Sequence, residues 1–258
     1  MMSNNNILEQ IKNKKLERMK NVRQFVKHHE NNSAGNPIPF FKKTGTTLIA
    51  ECKKASPSKG IFIGDYNPVD LASQYRTGGA DALSILTEQD YFLGDNNHLI
   101  AVKSSNTLPV LRKDFIIDEV QLVESRIIGA DAVLLIAALL SENELISMTK
   151  FARSLGLEVL IEAHNKDEVE KALNAGPTSI GINSRDLRDF SVNIDIVSDL
   201  IKIIPADCIV TAESGIHSVE SVNILRAAGC RAFLIGEYFL KSVDRLQTVR
   251  AVKDRLDN

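Results

Sequence analysis

Two hydrophobic rhythms divide this chain. Over residues 3–30, Ile7, Ile11, Met19, Val22 and Val26 recur at near-helical spacing, which predicts one amphipathic helix. Lys12, Lys14, Lys15, Lys20, Arg23 and Lys27 fall on its other face and are expected to be solvated. A polar loop over 31–36 and two prolines, Pro37 and Pro39, lead to the apolar pair Phe40 and Phe41. With no strand pattern and little apolar surface, this stretch reads as an extension ahead of the main fold.

From Thr46 onward one unit recurs: a short apolar run, a polar loop, a capped helix, and a glycine turn into the next run. The turns resemble one another: Gly79-Ala80-Asp81-Ala82, Gly129-Ala130-Asp131-Ala132, Ala175-Gly176-Pro177 and Ala228-Gly229-Cys230. Glycine just past a helix end supplies the left-handed backbone of a C-cap. Asn67 before Pro68, and Ser141 three residues before Glu144, mark helix starts. The apolar runs predict strands over 47–53, 82–87, 108–113, 132–139, 157–162, 179–183, 208–213 and 232–236. They are β-branched and leucine-rich with little polar alternation, as strands covered on both faces must be. Strands separated by helices imply right-handed parallel crossovers. Eight unbroken units favour an α/β fold of the closed (β/α)8 (TIM) barrel type over an open doubly wound sheet. No G-x-G-x-x-G follows the first strand, which weakens the dinucleotide alternative. Residues 1–258 are expected to form one barrel domain, with 1–45 as its N-terminal helical extension.

Composition narrows the function classes. Lys plus Arg is 31 and Asp plus Glu is 33, so the net charge is 31 − 33 = −2. A phosphate-neutralising surface needs a positive excess, so nucleic acid is not expected as partner. A small anionic ligand, which needs only a few focused donors, stays open. Cys52, Cys208 and Cys230 are scattered and are expected to be buried, reduced core thiols. The histidines, His28, His29, His98, His164 and His217, have no HExxH or other metal spacing, so no metal is expected. The apolar run over 132–140 is about half of a membrane span, and MMSNNNILEQ lacks a signal-peptide core. A soluble, cytoplasmic protein is expected, without membrane contact.

In a parallel barrel every strand ends on one face, so strand-end residues converge whatever their separation in sequence. The first strand places Glu51 and Lys53 two residues apart, hence on the same side. The third ends in Arg112-Lys113-Asp114, the fifth in Glu162, the sixth in Asn183-Ser184-Arg185, the seventh in Glu213-Ser214-Gly215 and the eighth in Gly236-Glu237. Three carboxylates and two lysines in an apolar ring are costly to bury unless they pair. A structural network would also pair them, but such a density points to catalysis. Glycines after the seventh and eighth strands sit where barrels commonly bind phosphate, and a short helix starting at Gly236 would aim its amides at an anion. The loop over 61–66, with Gly60 and Gly64 nearby, could be a lid or simply mobile.

These segments resemble indole-3-glycerol-phosphate synthase. The resemblance rests on E-C-K-K-A-S-P-S-K-G (51–60), L-T-E-x-D-Y-F-x-G (86–94), L-R-K-D-F (111–115), G-I-N-S-R-D-L (181–187), A-E-S-G-I (212–216) and F-L-I-G-E (233–237), in family order. It covers the chain from about residue 40 to the end, and the N-terminal helical extension is similar too. It implies a carboxy-lyase of tryptophan biosynthesis. That enzyme closes the indole ring of 1-(o-carboxyphenylamino)-1-deoxyribulose 5-phosphate with loss of CO2 and water, using no cofactor or metal. By residue-to-residue match, Lys113 is the general acid on the substrate carbonyl and Lys53 the partner of its carboxylate, with a possible acid role in dehydration. Glu162 is the base for the later proton removal, Glu51 and Glu213 hold the lysines, and Asn183 orients the substrate. Ser56, Ser214, Gly215, Gly236 and the amide of Glu237 line the phosphate end. Phe92 and Leu234 wall the aromatic pocket, and Arg185 is a polar contact. Members with serine at position 237 offer a hydroxyl that glutamate lacks. The division of dehydration among Glu51, Lys53 and Glu162 stays open. The expected partner is this small molecule, bound by a monomer, and partner enzymes are not specified by the sequence.

Two other readings stand beside this one. An isomerase or aldolase of the phosphosugar barrels would need, for aldol chemistry, a lysine that loses its proton readily. A barrel that only binds ligand or partner would be expected to have lost its charged strand ends.

Overall fold

The computed structural model describes residues 7–29, 35–185 and 193–258. In chain order its first elements are α1 (Ile7–His29), β1 (Thr47–Cys52), β2 (Ala55–Ser56), β3 (Gly60–Ile61), α2 (Pro68–Thr77), β4 (Ala82–Leu86), α3 (Asn96–Ser105) and β5 (Val110–Lys113). There follow α4 (Glu119–Ile127), β6 (Ala132–Ile136), α5 (Glu142–Ser154), β7 (Glu158–Ala163), α6 (Lys166–Ala175) and β8 (Ser179–Asn183). The last are α7 (Asp195–Leu200), β9 (Ile209–Glu213), α8 (Val219–Ala228), β10 (Ala232–Ile235), α9 (Glu237–Lys241) and α10 (Arg245–Asp257). Eight parallel strands close into a barrel in the order β1-β10-β9-β8-β7-β6-β5-β4. Leu48, Ile49, Leu83, Leu111, Val133 and Ile161 are wholly buried, which is why the strands read as continuous apolar runs.

Helix starts follow the side-chain chemistry. Asn67 accepts from the amides of Val69 and Asp70 with Pro68 at the first position, and Ser141 and Glu144 form a reciprocal capping box. Several boundaries differ from the sequence reading. β6 stops at Ile136, where the Leu139 amide bonds back to the Ile136 carbonyl in a turn. Leu139 and Leu140 are buried there without being in a strand, so burial extended the apolar run. The loop over 61–66 is entered through an antiparallel hairpin of β2 and β3 that hydrophobic periodicity does not signal.

The N-terminal extension is more tightly joined to the barrel than its polarity suggested. α1 covers most of the expected helix; positions 3–6 and 30 lie outside the described residues, as do 31–34 of the polar loop. Its basic face is not uniformly solvated. Lys15 is buried and pairs with Asp114 at 2.5 Å, Arg18 pairs with Asp90 at 2.8 Å, and Arg23 with Asp118 at 2.5 Å. These aspartates follow β4 and β5, so α1 lies across the loops at the strands' C-terminal ends. Phe40 and Phe41 pack edge to face in the core, and their amides donate to Glu158 at the start of β7. The extension therefore contributes apolar surface that the sequence reading had discounted.

Candidate active site

Alternation along β5 separates two neighbouring cations. Arg112 points outward into the barrel–helix layer. It is fully buried there and donates to Glu124 (2.7 Å), Asp114 (3.1 Å), Thr87 (3.1 Å) and Ser125 (3.0 Å). Lys113 points the other way, into a pocket at the strand ends. Its Nζ lies 2.9 Å from Glu162 Oε2 and 3.0 Å from Glu213 Oε2. Two strands round the barrel from β5, after β1, Lys53 Nζ lies 2.6 Å from Glu51 Oε1 and 5.3 Å from the centre of the Phe62 ring. Asn183 Nδ2 donates to Glu162 Oε1 at 3.0 Å.

The electrostatics differ sharply from one group to the next. Burial opposes the Lys113 charge, but Glu162, Glu213 and Glu51 hold its ammonium well above the ordinary lysine value. Burial also opposes ionisation of Glu162; Lys113 and His164 overcome it and keep that carboxyl well below the usual range. Glu213 is pushed up to about 7, by burial first and then by Glu162 and Glu51, against the pull of Lys113. One lysine thus stands between an ionised acid and one that holds its proton near neutrality.

The phosphate-end residues named from the sequence line the same pocket: Ser56, Ser214, Gly215, Gly236 and Glu237. Ser214 has φ +62° and Gly215 φ +70°. A left-handed serine is an uncommon backbone state, of the kind that surrounding structure must hold in place. Ser56 Oγ is buried and has no hydrogen-bond partner among the described residues. Gly236 caps α9, and a Cβ there would sit 2.5 Å from Glu51 Oε1. The Glu237 carboxylate turns to Lys241 (2.6 Å) and Arg185 (3.4 Å), and the Arg185 amide donates to Asn183 Oδ1.

Phe92 and Leu234 line the pocket with Leu86, Leu134 and Ile136, and Phe92 lies 6.0 Å from Phe115, ring centre to ring centre. Phe115, and Ile7, Leu8 and Ile11 of α1, are pocket residues the sequence reading did not assign. Phe115 lay inside the quoted L-R-K-D-F segment, and Ile7 and Ile11 lay in the helical stripe. Glu88 was also passed over. Its carboxylate accepts the amides of Asp90, Tyr91 and Phe92 at 3.0, 2.7 and 3.0 Å, fixing the turn that presents Phe92. Asp186 and Leu187 of the 181–187 segment lie outside the described residues.

The sequence profile of the indole-3-glycerol phosphate synthase family matches residues 4–252. The chain belongs to that family. The indole-3-glycerol phosphate synthase of Thermoanaerobacter pseudethanolicus is 43% identical over 232 residues, covering 90% of this chain and 89% of that protein. That of Carboxydothermus hydrogenoformans is 49% identical over 198 residues, covering 76% of this chain and 75% of that protein. Among solved structures, 3-hexulose-6-phosphate synthase from Salmonella typhimurium superposes with a TM-score of 0.66 at 16% identity, covering 81% of this chain and 98% of that one. That likeness concerns the barrel alone. As an indole-3-glycerol phosphate synthase the chain is a carboxy-lyase of tryptophan biosynthesis.

Proposed function

We propose that this chain forms indole-3-glycerol phosphate from 1-(o-carboxyphenylamino)-1-deoxyribulose 5-phosphate with Lys113 as the first proton donor. The carboxylate-bearing ring carbon attacks the ribulose carbonyl. The C=O electron pair moves to oxygen, which takes a proton from the Lys113 ammonium. The observation that carries this reading is the position of Lys113 between Glu162 and Glu213, which keeps it a full ammonium in a buried pocket. A lysine held so firmly protonated is unsuited to a Schiff base, which speaks against the aldolase alternative. The C–CO2⁻ bond then breaks, and its electrons restore the ring. Loss of the hydroxyl as water and of a C–H proton completes the indole, with Glu162 as the base.

Lys53 is the partner of the substrate carboxylate, with Glu51 beside it as counter-charge. Ser56, whose hydroxyl is unpartnered, would donate to the phosphate together with Ser214 and the amides of Gly215, Gly236 and Glu237. The Glu237 side chain already has Lys241 and Arg185, which supports a main-chain role at that position. Asn183 orients substrate through its bond to Glu162, Arg185 is a polar contact, and Phe92 and Leu234 enclose the aromatic ring. We further read residues 1–258 as one barrel unit with its extension, monomeric and cytoplasmic, using no cofactor. Its partner is a small-molecule phosphate rather than nucleic acid, in keeping with a net charge of −2. No helix among the described residues is long and apolar enough to cross a membrane.

Separate assays of CO2 and indole product test the order of steps. Lys113→Ala should slow release of both alike, by about 10²–10⁴-fold. Glu162→Gln should release CO2 while indole formation stalls. Indole formation by Glu162→Gln at the wild-type rate would remove Glu162 as the base.

A further inference from the structure

Behind Glu162, on the side away from Lys113, stands a group that the reading above leaves unused. His164 follows β7, and its Nε2 lies 3.3 Å from Glu162 Oε1, close enough for an ion pair though without the alignment of a hydrogen bond. Its Nδ1 lies 3.0 Å from Glu168 Oε2, which also accepts the His164 amide at 2.8 Å. Glu168 is itself tied to the start of α6, since Asn165 Nδ2 donates to its Oε1 at 2.7 Å. Each ring nitrogen of a mostly buried imidazole thus faces a carboxylate.

We propose that His164, clamped as a cation by Glu168, is a positioning residue that holds Glu162 ionised and correctly turned for its work as the base. The inference rests on the assignment of Glu162 as that base. The contrast with Glu213 carries it. Both acids are nearly equidistant from Lys113, and both are buried. Among the described residues, Glu162 has a second cation behind it and Glu213 does not. From the other elements packed there, β8 brings Asn183, β9 brings Glu213, and the end of β1 brings Glu51 with Lys53 paired to it, so that cation is engaged by another acid. The titration directions agree: burial opposes the His164 charge, yet Glu162 and Glu168 push its value up to about 10. Glu168 lies below the ordinary range; burial opposes its ionisation, but its bonds to His164 outweigh that.

The test is the pH dependence of kcat/KM and kcat for wild type, His164→Gln, Glu168→Gln and Glu162→Gln. With His164→Gln the acid limb should move up by about one pH unit, so that kcat on the falling part of that limb drops about tenfold and recovers as pH rises above it. KM should change little. Glu168→Gln leaves the imidazole in place and should give a smaller shift in the same direction. It carries the test if His164→Gln does not fold. An unmoved acid limb, or a loss of kcat equal at every pH, would overturn the inference in favour of a merely structural histidine. Inactive Glu162→Gln combined with an unmoved limb removes only this inference, whereas active Glu162→Gln removes the base assignment itself.

Discussion

Lys113 serves two carboxylates at nearly equal distance, so the charge of each acid is decided by what stands behind it. Glu162 has Asn183 and His164, whereas the second oxygen of Glu213, Oε1, is buried without a partner among the described residues. That oxygen is pressed against Gly181, where any Cβ would collide with it. Gly181→Ala should therefore displace Glu213 and with it Lys113. A fall in kcat of about 10²-fold is expected, with a loss of about 1–3 kcal/mol in stability from overpacking. Unchanged kcat would mean that the Glu213 side chain moves aside freely. The pairing of Glu51 with Lys53, and the convergence of Lys113, Glu162, Asn183 and Glu213, were legible because strand parity and parallel strand ends decide them. His164 was not. Its place depends on Glu168 and on the bend after β7, and a lone histidine near a strand end carries no spacing that says so.

At the scale of elements, α1 is fastened to the loops after β4 and β5. Asp114 is its principal anchor, shared by Lys15 and Arg112 and lying directly after Lys113. Burial works against the Asp114 charge, but Lys15 and Arg112 hold its carboxyl well below the usual range. Asp114→Ala strands Lys15 and should cost about 3–5 kcal/mol in urea unfolding. Lys15→Met should cost clearly less, because Arg112 and Thr87 still satisfy Asp114. Equal losses would contradict the shared-anchor account. Both variants should raise KM, since α1 brings Ile7, Leu8 and Ile11 to the pocket. The eight strands and their caps were readable from periodicity and turn chemistry. The docking of α1 was not, because a basic helix face reads alike whether water or distant aspartates neutralise it.

For the whole molecule, the buried charges predict how stability follows pH. Folded Glu213 keeps its proton up to about 7, while in the unfolded chain the proton leaves near its ordinary value of 4.5. Between these values the folded state binds more protons, so this acid's contribution falls as pH rises from 4.5 to 7. Urea unfolding of Glu213→Gln across that window should lack this decline; an unaltered slope would contradict the raised value. His164 adds a contribution complete below its ordinary 6.5 and lost as pH rises through about 10. The central claim, that the ring of charges at the strand ends closes the indole ring with Lys113 as acid, is tested most directly by indole fluorescence during turnover of the carboxyphenylamino-deoxyribulose phosphate. Wild type should form product, and Lys113→Ala should lose about 10²–10⁴-fold in kcat with KM nearly unchanged. Folded wild type that yields no product, or Lys113→Ala with near-full kcat, would contradict it.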